Sequence, residues 1–324
     1  MLLSGNLWGS AQAENQALVV YSGRGESLVG PLVERFMKDT GIVVQVRYAG
    51  TPELARLILE EGNRSPADIF WAQDVGSLGG LHAAGVLKAL PETLFEAIEP
   101  DLLPSTRTWV PFSGRARVLA FSPDRAGRAA GGLGLDDLLT PAFRNRVGFS
   151  APNASFQLSV SALNQIWGRD RTLAWLKAFK ANGARSFPNN SAQLAAIAAG
   201  EIDVALVNHY YLLRELSKNP SFPVQQVPFR SGDAGNLMNV SGAGILRTSK
   251  NTLAAERFLN YMLSRAAQEY FVKETFEYPV IQGILMPAGA PNLPEYRRAA
   301  PSFDWNALDD ADETLNLLKD AGLL

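Results

Sequence analysis

ALVVYSGRGESLVGPLVERFMKDTG, residues 17–41, decides the fold class. Its first six residues are a short run rich in apolar, β-branched side chains, the pattern of a strand covered on both faces. From Glu26 onward the apolar positions fall at helical spacing, and Gly41 stands where a helix closes in the left-handed conformation. Strand, short loop and helix in that order are the opening of an α/β unit. Working outward, VVQVRYA (43–49) is the next strand, and Thr51-Pro52-Glu53 opens the next helix, with Thr51 as its N-cap, Pro52 at the first helical position and Gly62 at its end. ADIFWA (67–72) reads as a third strand, followed by a short glycine-loosened helix, VGSLGGLHAAG (75–85).

A second α/β region follows the extended segment WVPFSGRARVLAFSP (109–123). It holds the strand NRVGFS (145–150), the helices FQLSVSALNQIWG (156–168), RTLAWLKAFKANG (171–183) and SAQLAAIAAG (191–200), and the strand IDVALV (202–207). VSGAGIL (240–246) is a strand able to return to the first region, helical segments fill 251–274, and DETLNLLKDAG (312–322) closes the chain. No internal repeat of 20 to 50 residues is visible. Two α/β halves joined by extended strands imply a cleft between them, which is where a ligand would sit.

Composition narrows the chemistry. The 324 residues, 47% hydrophobic and 19% charged, describe a globular chain, and no segment approaches the ~18 unbroken apolar residues of a membrane span. A formal net charge of -2 leaves no basic footprint for nucleic acid. The absence of cysteine removes thiolate nucleophiles, Cys-ligated zinc and iron-sulfur clusters. MLLSGNLWGSAQA (1–13) ends with Ala11 and Ala13 in an A-x-A arrangement, which reads as the end of a secretory signal whose basic start is missing.

Familiar catalytic patterns fail. SGRGESL has Leu28 where a dinucleotide loop needs a third glycine, and no phosphate-loop, zinc-protease, nucleophile-elbow or EF-hand pattern appears. Of the two histidines, His82 lies in a predicted surface helix and reads as solvated, and His209 stands beside the tyrosine pair discussed below. What remains are groups suited to anions and hard cations. Asn153, Ser155 and Gln157 stand at a predicted helix start, where backbone N–H groups favour an anion, although Asn153 or Ser155 could simply cap the helix. Asn189 and Asn190 stand similarly before the next helix. Arg24, Arg115 and Arg117 fall at strand ends and could form a cationic wall.

Tyr210 and Tyr211, in VNHYYLLREL (207–216), follow a strand and begin a helix. At a helix start, adjacent residues are about 100° apart, so two long phenols can converge in front of the strand ends. A phenol with a pKa near 10 ionises at neutral pH only beside a strong cation, and a trivalent hard cation supplies that. Paired tyrosines near anion-binding groups therefore read as a ferric site, whereas most such pairs, taken alone, are packing or surface residues.

The combination YSGRGE (21–26), RSPADIFWAQD (64–74), SGRARV (113–118), NRVGF (145–149), NASFQ (153–157), NSAQLAAIAAGEIDVALVNHYY (190–211), SGAGIL (241–246) and the terminal LLKDAGLL resembles the periplasmic ferric-iron-binding proteins that serve ABC transporters. GEIDVALVNHYY is the most specific part. The resemblance implies an α/β, two-lobed type II periplasmic binding protein fold, each lobe a mixed sheet flanked by helices, with the ligand cleft between lobes joined by two crossing strands. It implies a first lobe of 14–112 plus 241–292 and a second of 113–240 plus 293–324. It further implies Fe(III) held by Tyr210 and Tyr211 as phenolates, with a synergistic anion, carbonate or bicarbonate or else phosphate, as the accompanying ligand. By motif, Asn153, Ala154 and Ser155 match the anion cradle, and Asn190 and Asn208 match nearby amide contacts. Arg24 and Arg115 would balance the anion, with Ser22, Gly25 and Gln73 close behind.

Two departures stand out. Some family members place a His where this chain has Gly25 and a Glu where it has Gln73, and others add a tyrosine near Asn153 that is absent here. The expected role is a monomeric, periplasmic carrier that is not an enzyme, takes a ferric ion or small ferric chelate, and delivers it to an inner-membrane permease with a cytoplasmic ATPase. A carrier of a polyamine, thiamine or phosphonate on the same fold is the alternative. An enzyme using Tyr210 or Tyr211 as general acid lacks a positioned partner.

Overall fold

The computed structural model describes residues 17–127, 131–286, 290, 296, 300–301 and 311–324. The segment read as a signal remnant, 1–13, lies outside the described residues, as does most of 293–310, which the resemblance assigns to the second lobe.

The opening strand, helix and strand form as their spacing predicts. β1 (Leu18–Ser22) pairs in parallel with β2 (Val44–Tyr48) on one side and β3 (Ile69–Ala72) on the other. Between them α1 (Glu26–Thr40) buries Val29, Leu32, Val33 and Phe36, one stripe of a 3.6-residue period. Gly41 ends it at φ 71°, donating its N–H to the Met37 carbonyl, a conformation that costs other residues dearly.

α2 (Thr51–Glu61) departs from the sequence reading in one detail. Gly50 is its N-cap, and the Thr51 hydroxyl instead accepts from the Gln73 backbone N–H at 3.1 Å. Thr51 thus ties the start of α2 to the end of β3. Gly23 lies against this tie: a Cβ there would stand 2.8 Å from Thr51 Cβ and 3.0 Å from its Cα. Gly23→Ala should therefore shift the loop carrying Arg24 and cost about 1–3 kcal/mol, as overpacking does. A urea midpoint that does not fall, with unchanged slope, would refute this.

Among the described residues one mixed sheet runs through the molecule, and its middle positions the site. α3 (Val75–Ala83) leads to β4 (Val110–Phe121), whose twelve residues are all buried. The second half contains β5 (Val147–Phe149), α4 (Ala154–Trp167), α5 (Arg169–Ala181), β6 (Arg185–Ser186), α6 (Asn190–Ala198), β7 (Val204–Asn208), α7 (His209–Lys218) and β8 (Gln225–Val227). β9 (Met238–Ile245) then returns, antiparallel to both β3 and β4. α8 (Thr252–Met262), α9 (Arg265–Tyr270), β10 (Tyr278–Pro279) and α10 (Ala311–Asp320) complete the chain.

β4 changes partner at its centre. Residues up to Ala116 pair with β9, whereas Arg117 to Phe121 pair with β7, Arg117 opposite Asn208. Side chains alternate faces along a strand, so Ser113, Arg115 and Arg117 share one face of this changeover. Two hydrophobic clusters form, the larger running from the first half into α6, β7 and α7 through Leu194, Ile197, Val207 and Leu212, the smaller lying within the second half. Trp71 meets Phe112, Phe258 and Phe271 edge-on in the first, and Phe149, Phe156, Trp175 and Phe179 pack in the second with Leu317 and Leu318 of α10.

Candidate functional site

The tyrosine pair begins where β7 ends, beside the changeover of β4. Asn208 is the extended residue before α7, and Tyr210 and Tyr211 fall in the first turn with their rings stacked, centroids 4.4 Å apart. Tyr210 is 3% exposed and Tyr211 is half-buried. Neither phenol oxygen hydrogen-bonds another group among the described residues. Burial pushes the Tyr210 pKa well up, Tyr211 and Glu277 add to that, and Arg115 and Arg24 pull it back down. The phenol therefore keeps its proton at neutral pH.

His209 holds the corner. Its Nδ1 accepts from the Ala116 N–H at 3.1 Å, its Nε2–H donates to the Phe276 carbonyl at 2.9 Å, and its ring stacks on Tyr278. These partners require the neutral ring. Burial lowers its pKa from 6.5 to about 4. Because the folded value lies below the unfolded one, the unfolded chain takes up the proton first as pH falls. Stability is complete above about pH 6.5 and is lost toward pH 4, by about 3 kcal/mol. Urea titrations of the ligand-free protein at pH 7 and pH 4 should show this loss, and His209→Gln should remove that part of the slope. An equal slope in the variant would count against it.

The cationic wall is present, and it is buried. Arg115 Nε donates to Ser155 Oγ at 3.4 Å and its Nη2 to the Gln73 carbonyl. Arg117 donates to Asn208 Oδ1 at 3.1 Å and to the Leu206 carbonyl at 3.0 Å. Burial lowers the Arg117 pKa to about 10, which leaves it charged at neutral pH. Asn208 Nδ2 donates to Ser155 Oγ at 3.1 Å, and the Asn208 N–H donates to Asn190 Oδ1 at 2.8 Å. Ser155 Oγ thus accepts twice, leaving its own hydrogen to donate. The residues the sequence reading grouped as Arg115, Ser155, Asn190 and Asn208 form one connected network.

Other named residues have local duties. The Asn153 side chain caps α4, accepting from the N–H groups of Ser155 and Phe156, so the capping alternative describes it in this structure. Ala154 stands between them at the helix start. Asn189 caps α6 through the Ala192 N–H. Ser22 Oγ closes the loop onto Arg24, Gly25 is the N-cap of α1, and Gln73 contributes its carbonyl to Arg115. His82, read as solvated, is half-buried with Nδ1 3.0 Å from Thr108 Oγ1.

The sequence reading missed Glu277. Arg24 donates to its two carboxylate oxygens at 3.0 and 2.6 Å, Ser113 and Thr275 add hydroxyls at 3.0 and 3.2 Å, and Arg115 Nη1 lies 3.8 Å away. Burial alone would raise its pKa, but Arg24, then Arg115, more than offset this and hold it below the usual carboxylate range. Arg24 and Glu277 are 253 positions apart, and no local pattern in the sequence links them. Three buried guanidiniums still outnumber the two buried carboxylates near them, Glu277 and Asp74. A group of three or more His, Cys, Asp or Glu residues able to hold a metal is absent among the described residues.

Residues 18–277 match the model of a family described as bacterial extracellular solute-binding protein. The Fe(3+)-binding periplasmic protein of Serratia marcescens is 32% identical, over 97% of this chain and 93% of that protein. Iron uptake protein A2 of Synechocystis is 34% identical, over 87% and 83% respectively. The crystal structure of iron-bound HitA from Pseudomonas aeruginosa superposes with a TM-score of 0.88 at 30% identity, covering 94% of this chain and 99% of that one.

Proposed function

The chain belongs to the bacterial extracellular solute-binding protein family, and from that premise we propose that it captures ferric iron in the periplasm and delivers it to a membrane ABC permease. The observation that carries this reading is the stacked pair Tyr210 and Tyr211, whose oxygens are uncommitted beside an excess of buried guanidiniums. The similarity to proteins named for ferric iron binding and iron uptake supports it. Among the described residues no helix is long and apolar enough to cross a membrane.

In this reading the two halves of the sheet are lobes, and bending in β4 and β9 opens and closes the cleft. Fe(III) displaces both phenol protons, so capture weakens as pH falls. Binding adds three positive charges and removes two protons, which leaves the buried site one charge more positive than before. Buried unbalanced charge is costly. A carbonate dianion, or an equivalent oxyanion, offsets both this charge and the guanidinium excess, accepting from Arg115 and from the Ser155 hydroxyl. Arg24, paired with Glu277 through one hydrogen on each terminal nitrogen, adds its charge to the same wall. With Gly25 and Gln73 where some family members supply His and Glu, anion oxygen and water complete the coordination.

Titrating the ligand-free protein with ferric citrate, with and without bicarbonate, tests this. A visible charge-transfer band that needs Tyr210 and Tyr211 and strengthens with bicarbonate is the expected result. Saturable binding of a polyamine, thiamine or phosphonate with no such band would favour the organic-solute carrier instead.

A further inference from the structure

The hydrogen bonds around Ser155 fix a direction as well as a position. A guanidinium has only donors, and Arg117 Nη1 donates to Asn208 Oδ1 at 3.1 Å. The Asn208 amide therefore has one allowed orientation, with Nδ2 turned to Ser155 Oγ at 3.1 Å. Arg115 Nε donates to the same oxygen at 3.4 Å. Both lone pairs of the hydroxyl are occupied, and its hydrogen has no acceptor among the described residues. Arg117 is 5% exposed and Asn208 0%, so water does not compete for these bonds. Donation runs one way, from guanidinium to amide to hydroxyl, and ends on an O–H that can only give.

That O–H stands where the two halves meet, since Arg115 also binds the Gln73 carbonyl of the first half. Gln73 and Ala154 beside it are half-buried, and parting of the halves uncovers the hydroxyl further. The acceptors around it are committed: the Gln73 carbonyl to Arg115, Asn190 Oδ1 to the Asn208 N–H, and the Glu277 oxygens to Arg24, Ser113 and Thr275. Asp74 Oδ2 has no donor but is sealed from solvent. A ligand oxygen that meets Ser155 must accept, so it carries no proton. An anion O–H in that place sets hydrogen against hydrogen and leaves both unpaired.

We propose that Arg117 and Asn208 are positioning residues which, acting through Ser155, make this place select fully deprotonated oxyanions over protonated ones of the same shape and charge. The selection deepens the ferric reading and rests on it for the purpose of the anion, as the companion of the metal. Sulfate and hydrogen phosphate are the probes, because at about pH 8.5 both are tetrahedral dianions and only the second carries a proton. Charge therefore cancels in the ratio of their affinities. Calorimetry of the ligand-free full chain should show sulfate binding at least about tenfold tighter than hydrogen phosphate.

Two variants test the direction of donation. Ser155→Ala removes the donor without a change of charge, and should bring the ratio to about one by weakening sulfate alone. Asn208→Asp keeps one oxygen for Arg117 and offers the other to the Ser155 hydrogen, which turns a lone pair of Ser155 toward the anion. The ratio should then invert, with hydrogen phosphate binding about tenfold tighter. A structural role alone for Asn208 lowers both affinities together and leaves their ratio unmoved. Equal affinities in the parent, a ratio unmoved by Asn208→Asp, or no sulfate binding overturns the proposal. The titration contains no iron, so a ferric band without the anion preference sinks this inference alone, and the preference without a band sinks the ferric reading alone.

Discussion

Replacing both tyrosines, Tyr210→Phe with Tyr211→Phe, should weaken ferric binding at least about a thousandfold, or about 4 kcal/mol, and abolish the visible band. The ring shapes survive the change and only the two oxygens are lost. Neither oxygen hydrogen-bonds a group among the described residues, so folding draws no hydrogen bond from them there in the ligand-free state. Removing a buried hydroxyl without a partner is neutral or stabilising. The ligand-free double variant should therefore melt no lower than its parent while losing the metal. This combination separates a ligand role from a packing role: a packing pair would lose stability and leave iron binding intact. Each single variant should retain weak binding with a shifted band, since one phenolate and the anion remain.

Glu277→Gln should lower stability by about 3–5 kcal/mol. The carboxylate is fully buried and neutralises Arg24 directly and Arg115 at a short distance. Glutamine preserves the volume but takes away the carboxylate that Arg24 binds directly, leaving Asp74 to act on Arg115 at a distance, and its amide nitrogen cannot accept from Arg24. The penalty arises from the stranded charges, not from the worth of the pair itself. Combining Arg24→Met with Glu277→Leu should accordingly recover most of the loss, because a well-packed apolar pair is often as stable as a buried ion pair. Urea denaturation of the four proteins in the cycle measures this. A single-variant loss under about 1 kcal/mol would show that water reaches Arg24 and takes the carboxylate's place.

The tyrosine corner was readable because everything that places it is local. β7 is a continuous apolar run ending in a polar residue, α7 follows without a loop, and adjacent residues in a first helical turn point to neighbouring directions. The same holds for the βαβ opening, for Gly41 and Gly62 as helix ends, and for the return of 240–246 to the first half. Local reading went astray where a side chain served a distant part of the chain. Thr51 has the composition of a cap, yet its hydroxyl is taken by Gln73, 22 positions away. Asn153, by contrast, caps its own helix, one of the two readings its place before that helix allowed.

The amino-acid order by itself determined the α/β class, the return of 240–246 to pair with the first strands and the position of the phenol pair at the start of a helix. These follow from hydrophobic period and turn chemistry, which act over a few residues. Only the tertiary structure decided which charges neutralise which. Glu277 meets Arg24, His209 is locked neutral between Ala116 and Phe276, and Asp74 keeps an oxygen without a donor. Electrostatic pairing depends on distance through space and on exclusion of water, and neither quantity is written along the chain.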